Sequence, residues 1–433
     1  MKKITITGTK GKTTVSNVLA SVLRQIEPKV LHVDTNGAYV NGKLEISKKQ
    51  SQQMWDVVPT VAPGRFLYLM VDDNDLAEDG MDHVTLPGAA VLEASLGCGT
   101  VSGLGYYGHD IGIFTNVYED HLGSRPDLVS RKDIGASKRF IFSRINRDGT
   151  AVFNADDDVV CGELKHCKPG VTLLPFGRSF DYFDLQGHLD SGGYALTIED
   201  KKLVLLHKVS KTQIMDIADV SWAFEGMYEP SLYNLMAISA ALFAYNDFAF
   251  SDDLIQKIAA TKLDPYSGRL TLLETKGGIK ILADYAHEKQ SLQSIAALAR
   301  DLKQPEGRTI GVLRLSWDRT EQLVRETADF IAQDYDRFVI YDKIDGYWRQ
   351  PSSRFRTGQR QFTQEVGKIS GWLSDALKDK RGDEAVEQIM REDYALERAA
   401  EIARPGDVVV VIVNDDIERS IGFIRETFQA DFV

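Results

Sequence analysis

A chain of 433 residues is too long for one ordinary hydrophobic core, and its length predicts two or three domains. With 43% apolar and 26% charged residues it has the make-up of a soluble globular protein, and a net charge of -12 argues against nucleic acid as the main partner. Three cysteines (Cys98, Cys161, Cys167) are too few and too irregular for a disulfide framework or a zinc site, which predicts reduced thiols and a cytoplasmic setting.

The chain opens with Met1-Lys2-Lys3, but Lys10 and Lys12 interrupt the apolar run that a signal peptide needs. No segment approaches the roughly 18 apolar residues of a membrane span. Ile4 and Ile6 alternate as in a strand and end in Gly8-Thr9-Lys10-Gly11-Lys12-Thr13-Thr14. A helical pattern follows at once, with Val15, Val18, Leu19, Val22 and Ile26 along one face. Strand, glycine turn and helix N-terminus together form a phosphate cradle, because glycine lets backbone N–H groups approach the anion and the helix dipole adds positive charge. Lys12 is placed to reach the β/γ-phosphates and the Thr13 hydroxyl to hold Mg²⁺. The common loop, Gly-x-x-x-x-Gly-Lys-[Ser/Thr], needs a glycine where Ile6 stands, so this is the tighter Gly-x-x-Gly form.

Further strands are predicted at 29–33, 89–94, 111–117 and 151–154, alternating with helical patterns, as in a mainly parallel sheet wrapped by helices. Glu93 ends the second of these runs. A carboxylate there faces the crevice where open α/β sheets bind ligands, and beside a phosphate loop it serves a metal or the transferred phosphoryl group. Thr115-Asn116-Val117-Tyr118-Glu119-Asp120-His121 follows the third run, and His121 is a candidate metal ligand. Lys138 stands at the predicted start of an apolar helix, Phe140-Ile141-Phe142. Residues 180–209 read as β-hairpins appended to the main sheet, including 183–187, and a helix is predicted from about 233 to 245.

A second strand/helix series starts near Gly268 and runs through 279–283, 309–313, 338–341 and 408–413. The Pro/Gly/Ser punctuation of 262–268 marks a hinge, which divides the chain into 1–267 and 268–433. The fold class predicted is α/β: a P-loop domain with a mainly parallel sheet and appended hairpins, then a smaller Rossmann-like α/β domain.

Taken together, these segments resemble the Mur ligase superfamily, and within it the C-terminal ligase half of the cyanophycin synthetases. The likeness is carried by TGTKGKTT, Asp34-Thr35-Asn36-Gly37-Ala38-Tyr39-Val40, LEASLG, TNVYEDHLG, SKRFIF and Phe153-Asn154-Ala155-Asp156-Asp157. It continues through Tyr233-Asn234-Leu235, Gly268-Arg269 and Ala283-Asp284-Tyr285-Ala286-His287. The resemblance implies ATP-dependent amide-bond formation through an acyl phosphate, with ATP and Mg²⁺ as cofactors. It implies that Gly8, Thr9, Lys10, Gly11, Lys12, Thr13, Thr14 and Asn116 bind the nucleotide, and that Thr13 and Glu93 hold a first Mg²⁺. It gives His121 a second Mg²⁺, aligns Lys138 with a lysine that many relatives carbamylate, and assigns Asn234, Arg269, Asp284 and His287 to the nucleotide. Catalysis would fall to Lys12, Glu93, His121, Lys138 and Arg269, at a site between the domains.

Three segments depart from the pattern. Glu288-Lys289 replaces Asn-Pro, Glu229-Pro230-Ser231-Leu232 precedes Asn234, and Arg314-Leu315-Ser316-Trp317-Asp318-Arg319 stands where a glycine-rich turn is expected. The chain starts at the nucleotide strand, so neither the UDP-sugar domain of peptidoglycan Mur ligases nor an ATP-grasp half is expected. The acidic loop Asp72-Asp73-Asn74-Asp75 with Glu78, Asp79 and Asp82 lacks the glycine of a calcium loop. A solvated loop or an attractor for a cationic amine both fit it. Arg349, Arg354, Arg356 and Arg360 near Trp348 fit either a grip on a carboxylate or phosphate, or an exposed basic loop.

The leading reading is an ADP-forming ligase acting on small-molecule or peptide carboxylates and amines, with no nucleic-acid or membrane partner and with a homo-oligomer left open. A nucleotide-switched module or inactive partner subunit is the alternative.

Overall fold

The computed structural model describes residues 1–56, 58–71, 86, 88–119, 122, 125–316, 319–343 and 365–433. The chain forms two compact units, one over Met1–Leu122 and Asp127–Lys262, the other over Leu263–Val433. Among the described residues, no helix is long and apolar enough to cross a membrane.

The first unit is built on a single sheet of, among the described residues, eleven strands. These are β1 (Lys2–Thr7), β2 (Val30–Val33), β3 (Gly37–Val40), β4 (Lys43–Ser47), β5 (Ala89–Glu93) and β6 (His109–Phe114). They continue with β7 (Ile145–Asn154), β8 (Thr172–Phe176), β9 (Tyr194–Glu199), β10 (Lys202–His207) and β11 (Ser210–Asp216). Their order is β11-β10-β9-β8-β7-β6-β1-β5-β2-β3-β4. The central strands pair in parallel and antiparallel hairpins extend both edges, β9–β11 on one side and β2–β4 on the other. β2 and β5 are wholly buried and β1 is buried from Ile4 to Thr7, as strands covered on both faces must be; β5 reads as an apolar run up to Glu93, whereas β1 alternates isoleucine with threonine. Phe114, Phe142 and Phe153 are fully buried behind β6 and β7, each stabilising the unit by roughly 1.5–3 kcal/mol.

The sheet order places β1 between β5 and β6, with Ile6 beside Glu93 and Thr7 beside Phe114. The segments that leave these three strands therefore meet at one carboxyl end, the crevice in which open α/β sheets take ligands.

The second unit holds β12 (Thr271–Thr275), β13 (Lys280–Asp284), β14 (Thr309–Leu313), β15 (Arg337–Ile340), β16 (Val386–Gln388), β17 (Val408–Ile412) and β18 (Ala430–Phe432). In the order β16-β15-β14-β17-β13-β12-β18, the first five are parallel and the last two antiparallel. Ile281, Val312, Val339 and Val411 pack with Leu396, Ile421 and Ile424 in its core.

Several details differ from the sequence reading. The first helix, α1 (Lys12–Leu23), ends before Ile26, which is 39% exposed and off the packed face. Residues 183–187 are not a hairpin: a helix covers Leu185–Asp190, started by Asp184, whose carboxylate accepts the Gly187 amide. Lys138 does not begin a helix; it is the last residue of Arg131–Lys138. The helix carrying Asn234 starts a turn early, at Glu229, because Pro230 tolerates a helix's first turn.

Candidate active site

The loop after β1 is shaped by two glycines. Gly8 has φ +144° and Gly11 φ +84°, conformations in which a side chain is strained. Neither has room for one: a Cβ on Gly8 would lie 2.0 Å from Thr115 Oγ1, and one on Gly11 2.3 Å from Asn234 Oδ1. Gly11 is also the N-cap of α1 and offers no side chain to close it, so the positive end of the helix is turned to the loop.

The segment after β6 holds the loop in shape. Thr9 N donates to the Asn116 carbonyl at 2.9 Å and Lys10 N to Asn116 Oδ1 at 2.8 Å. Asn116 Nδ2 and Thr115 Oγ1 both donate to the Lys10 carbonyl, at 3.2 and 2.6 Å. Tyr118 N donates to Thr9 Oγ1 at 3.0 Å. Asn116, expected to bind nucleotide, thus grips the loop backbone itself. Lys12 Nζ donates to the carbonyls of Gly8 and Thr9 at 3.0 and 2.9 Å, which sets its ammonium inside the loop.

Thr13 and Glu93 meet as the sequence reading expected. Thr13 Oγ1 donates to Glu93 Oε2 at 2.9 Å, and both residues are 2% exposed. A partner not foreseen is Thr35, whose hydroxyl donates to Glu93 Oε1 at 3.2 Å. A hydroxyl beside a carboxylate suits Mg²⁺, a hard cation that takes one or two carboxylates and completes its shell with phosphate oxygens and water. Among the described residues there is no cluster of three or more His, Cys, Asp or Glu that could hold a metal.

Lys138 is buried near the same end of the sheet. Its helix lies so close to Gly99 that a Cβ there would sit 1.6 Å from the Ser137 carbonyl oxygen. Burial pushes the Cys98 thiol up to about 12; the Lys138 ammonium opposes that shift and the Glu93 carboxylate adds to it, so both charges act on one buried sulfur. Asp157 ties the Lys138 helix to the Asn116 segment: it accepts the Val117 amide at 2.7 Å and pairs with Arg131 at 3.3 Å. His121 lies outside the described residues, as do the acidic loop from Asp72 to Asp82 and the arginines at 349, 354, 356 and 360.

Asn234 is on the helix Glu229–Tyr245 and rests against Gly11. Its neighbour Tyr233 donates to Asp156 Oδ2 at 2.8 Å, and Asp156 also accepts the amides of Arg178, Ser179 and Phe180. One carboxylate therefore secures both a turn and the helix that presents Asn234.

In the second unit, Arg269, Asp284 and His287 come together around Tyr285. Asp284 Oδ2 accepts the Leu270 amide at 2.8 Å and Tyr285 N donates to the Gly268 carbonyl at 3.2 Å, bracketing Arg269. The Tyr285 ring has the Arg269 guanidinium 6.0 Å from its centroid, Arg314 at 4.6 Å and the Lys343 ammonium at 5.3 Å. His287 bonds through Nδ1 to the Tyr285 carbonyl at 2.9 Å.

Two departures from the family pattern have structural roles. Glu288 is the N-cap of the helix Lys289–Leu302, its carboxylate accepting the amides of Gln290 and Ser291 at 2.9 and 2.8 Å. Arg314 is fully buried and donates through Nε and Nη2 to the Val413 carbonyl, joining the ends of β14 and β17 beneath Tyr285. Nothing local in the sequence signals Thr35 or Arg314 as partners, since their contacts are made with residues far away in the chain.

Residues 6–242 match the family model described as the Mur ligase middle domain, and residues 268–412 the Mur ligase, glutamate ligase domain. The chain belongs to the Mur ligase family. It is 24% identical over 426 residues to a cyanophycin synthetase of Trichormus variabilis, covering 98% of this chain and 42% of that protein. The chain thus spans about two fifths of the length of the first curated relatives it matches. In fold it is similar to E. coli FolC in complex with DHPP and ADP, with a TM-score of 0.63 at 14% identity, covering 98% of this chain and 89% of that one. A bifunctional folylpolyglutamate synthase/dihydrofolate synthase with Mn, AMPPNP and L-glutamate bound has a TM-score of 0.61 at 15% identity, over 97% and 89% of the two chains.

Proposed function

We propose that this Mur ligase family chain is an ATP- and Mg²⁺-dependent, ADP-forming ligase that joins an amino acid or other amine to a peptide or amino-acid-derived carboxylate. The observation that carries the reading is the buried Thr13–Glu93 pair beside the Gly8–Gly11 loop, in a chain that matches both Mur ligase family models. A carboxylate oxygen attacks the γ-phosphorus, the bond to the β–γ bridging oxygen breaks, and ADP leaves. The amine nitrogen then attacks the acyl carbon of the acyl phosphate, the C–O bond to phosphate breaks, and the nitrogen gives up a proton.

Both steps accumulate charge, so the protein's part is positioning and electrostatic compensation. The residues from Gly8 to Thr14 cradle the phosphates, with Lys12 neutralising the oxygens nearest the transferred group. Thr13 and Glu93 would hold Mg²⁺, which when bound would supply charge neutralisation at the phosphates. His121 and Lys138 would serve a second metal, Lys138 as a carbamate: its ammonium gives two protons to solvent as the nitrogen bonds the carbon of carbon dioxide, so that a buried cation becomes an anion. Asn116 keeps the loop in shape, and Asn234, Arg269, Asp284 and His287 contact the nucleotide. The nucleotide loop belongs to a domain over 1–267 and Arg269 to a C-terminal domain over 268–433. Three free thiols suit a reducing, cytoplasmic compartment.

The reading is supported by relatives that carry ADP or AMPPNP in the same fold. ADP release, measured across a panel of acids and amines with MgATP, tests it. Release that requires both an acid and an amine is expected; release indifferent to the amine would mean another reaction class.

A further inference from the structure

The sheet of the second unit brings four chain segments to one end. β17 lies between β13 and β14, with Ile412 beside Asp284 and Val411 beside Val312, and β15 flanks β14 with Ile340 beside Leu313. Tyr285, Arg314, Lys343 and the run from Val413 to Asp415 therefore leave the carboxyl ends of neighbouring strands together. The Tyr285 ring is where they meet.

One group of contacts anchors that ring. The Arg314 guanidinium lies 4.6 Å from its centroid, fully buried and tied by Nε and Nη2 to the Val413 carbonyl at 3.2 and 2.5 Å. Arg314 Nη1 is buried with no hydrogen-bond partner among the described residues, so the Tyr285 ring is left to compensate the charge. Burial works against this cation, while Tyr285, Tyr341 and Asp415 favour it and leave its pKa above the ordinary arginine value. At the hydroxyl, Tyr285 Oη donates to Asp415 Oδ1 and accepts from Lys343 Nζ at 3.0 Å, and Lys343 pairs with Asp415 at 2.9 Å. The other group of contacts is with residues proposed to meet the nucleotide: the Arg269 guanidinium, 6.0 Å from the centroid, and the His287 ring, edge to face at 5.4 Å.

We propose that Arg314 is a positioning residue that acts through Tyr285 to fix Arg269 for the nucleotide, an inference that rests on the nucleotide role given to Arg269 above. Arg314 has no exposed surface, so it reaches a ligand only by way of the ring it supports. Its two bonds to one carbonyl hold the guanidinium still, and the ring above it is steadied at its face and at its hydroxyl. A long arginine side chain loses much rotamer freedom when it binds a phosphate, and a steady ring beside Arg269 meets part of that cost beforehand. A glycine-rich turn in place of Arg314-Leu315-Ser316 would leave the ring without this support.

The test is a double-mutant cycle in the full chain, read by calorimetric titration with Mg²⁺ and a non-hydrolysable ATP analogue, so that no acid or amine need be known. Arg314→Met removes the charge and keeps most of the volume. It is expected to weaken analogue binding about fivefold or more in the parent, but less than about twofold in an Arg269→Met background. Arg314→Lys, which keeps a cation beneath the ring, is expected to recover part of the binding. An equal loss in both backgrounds overturns the inference, because a merely structural defect does not depend on Arg269. Analogue binding like the parent's in Arg314→Met, while Arg269→Met weakens it, overturns the inference too. Should Arg314→Met fail to fold, Tyr285→Leu takes its place in the cycle and is judged in the same way. Arg269→Met that binds like the parent would instead remove Arg269 from nucleotide binding, and the inference would fall with that part of the proposed function.

Discussion

Asn234 Oδ1 rests on Gly11 so closely that a Cβ at Gly11 would lie 2.3 Å from it. This contact joins the helix Glu229–Tyr245 to the nucleotide loop within the first unit. It makes Gly11 doubly constrained, by its φ of +84° and by its neighbour. The left-handed conformation alone costs a substituted residue about 1–2 kcal/mol. Gly11→Ala is therefore expected to lose at least that much stability and about tenfold in affinity for a non-hydrolysable ATP analogue. Calorimetric titration beside denaturant unfolding measures both, and Asn234→Ala in the same chain, by removing the clash, should recover part of the stability. An alanine variant that binds like the parent would detach this contact from nucleotide binding.

Lys12 is the cation most deeply set in the loop, bonded to the carbonyls of Gly8 and Thr9. Lys12→Ala is expected to lower turnover about 10²- to 10³-fold, the scale of losing one donor to a developing anion. Steady-state ADP release checks this. Near-normal turnover would take Lys12 out of the mechanism.

Glu288 replaces an Asn-Pro pattern, and its carboxylate caps a helix. Glu288→Ala should destabilise the second unit by about 1 kcal/mol and leave analogue affinity within about threefold, as expected for a lost cap. A tenfold loss of affinity with unchanged unfolding would instead give Glu288 a part in nucleotide binding. The cap gives Glu288 a structural role at this position.

Two buried histidines make the first unit acid-sensitive. Burial lowers His32 and His109 from the usual 6.5 to about 4. Between those values the unfolded chain binds protons that the native state refuses, so stability falls as pH drops from about 6.5 to about 4 and no further below it. Each histidine contributes at most about 1.4 kcal/mol per pH unit in that window. His109→Gln keeps a donor for the Ile141 carbonyl and should flatten the slope of the urea midpoint against pH. Asp157, raised by burial, acts in the opposite direction in both proteins, so the difference isolates His109. Identical slopes would show that His109 is protonated or exposed in the native state.

What could be read from the sequence were features made by neighbours in the chain. The loop from Gly8 to Thr14 shows itself because its glycines and its helix are contiguous, and Glu93 because it ends a buried run. β8 escaped notice because Pro175 interrupts its pattern; the strand tolerates it at a position opposite Phe153. Gly187 looked like a hairpin turn, yet Asp184 uses its amide to start a helix. Thr35 carries no signal of its own, since its meaning comes from the register of β2 against β5. Arg314 likewise gains its role only when β14 lies beside β17 and Tyr285 closes over it.

Phosphorylation of a carboxylate by ATP held on the Gly8–Thr14 loop is the step on which the proposed function rests. Its most direct measurement uses an active acid–amine pair, the acid labelled with ¹⁸O in its carboxylate, and mass analysis of the phosphate released. One labelled oxygen is expected in each phosphate, carried over when the acyl C–O bond breaks. Phosphate free of label, released together with amide product, would contradict it.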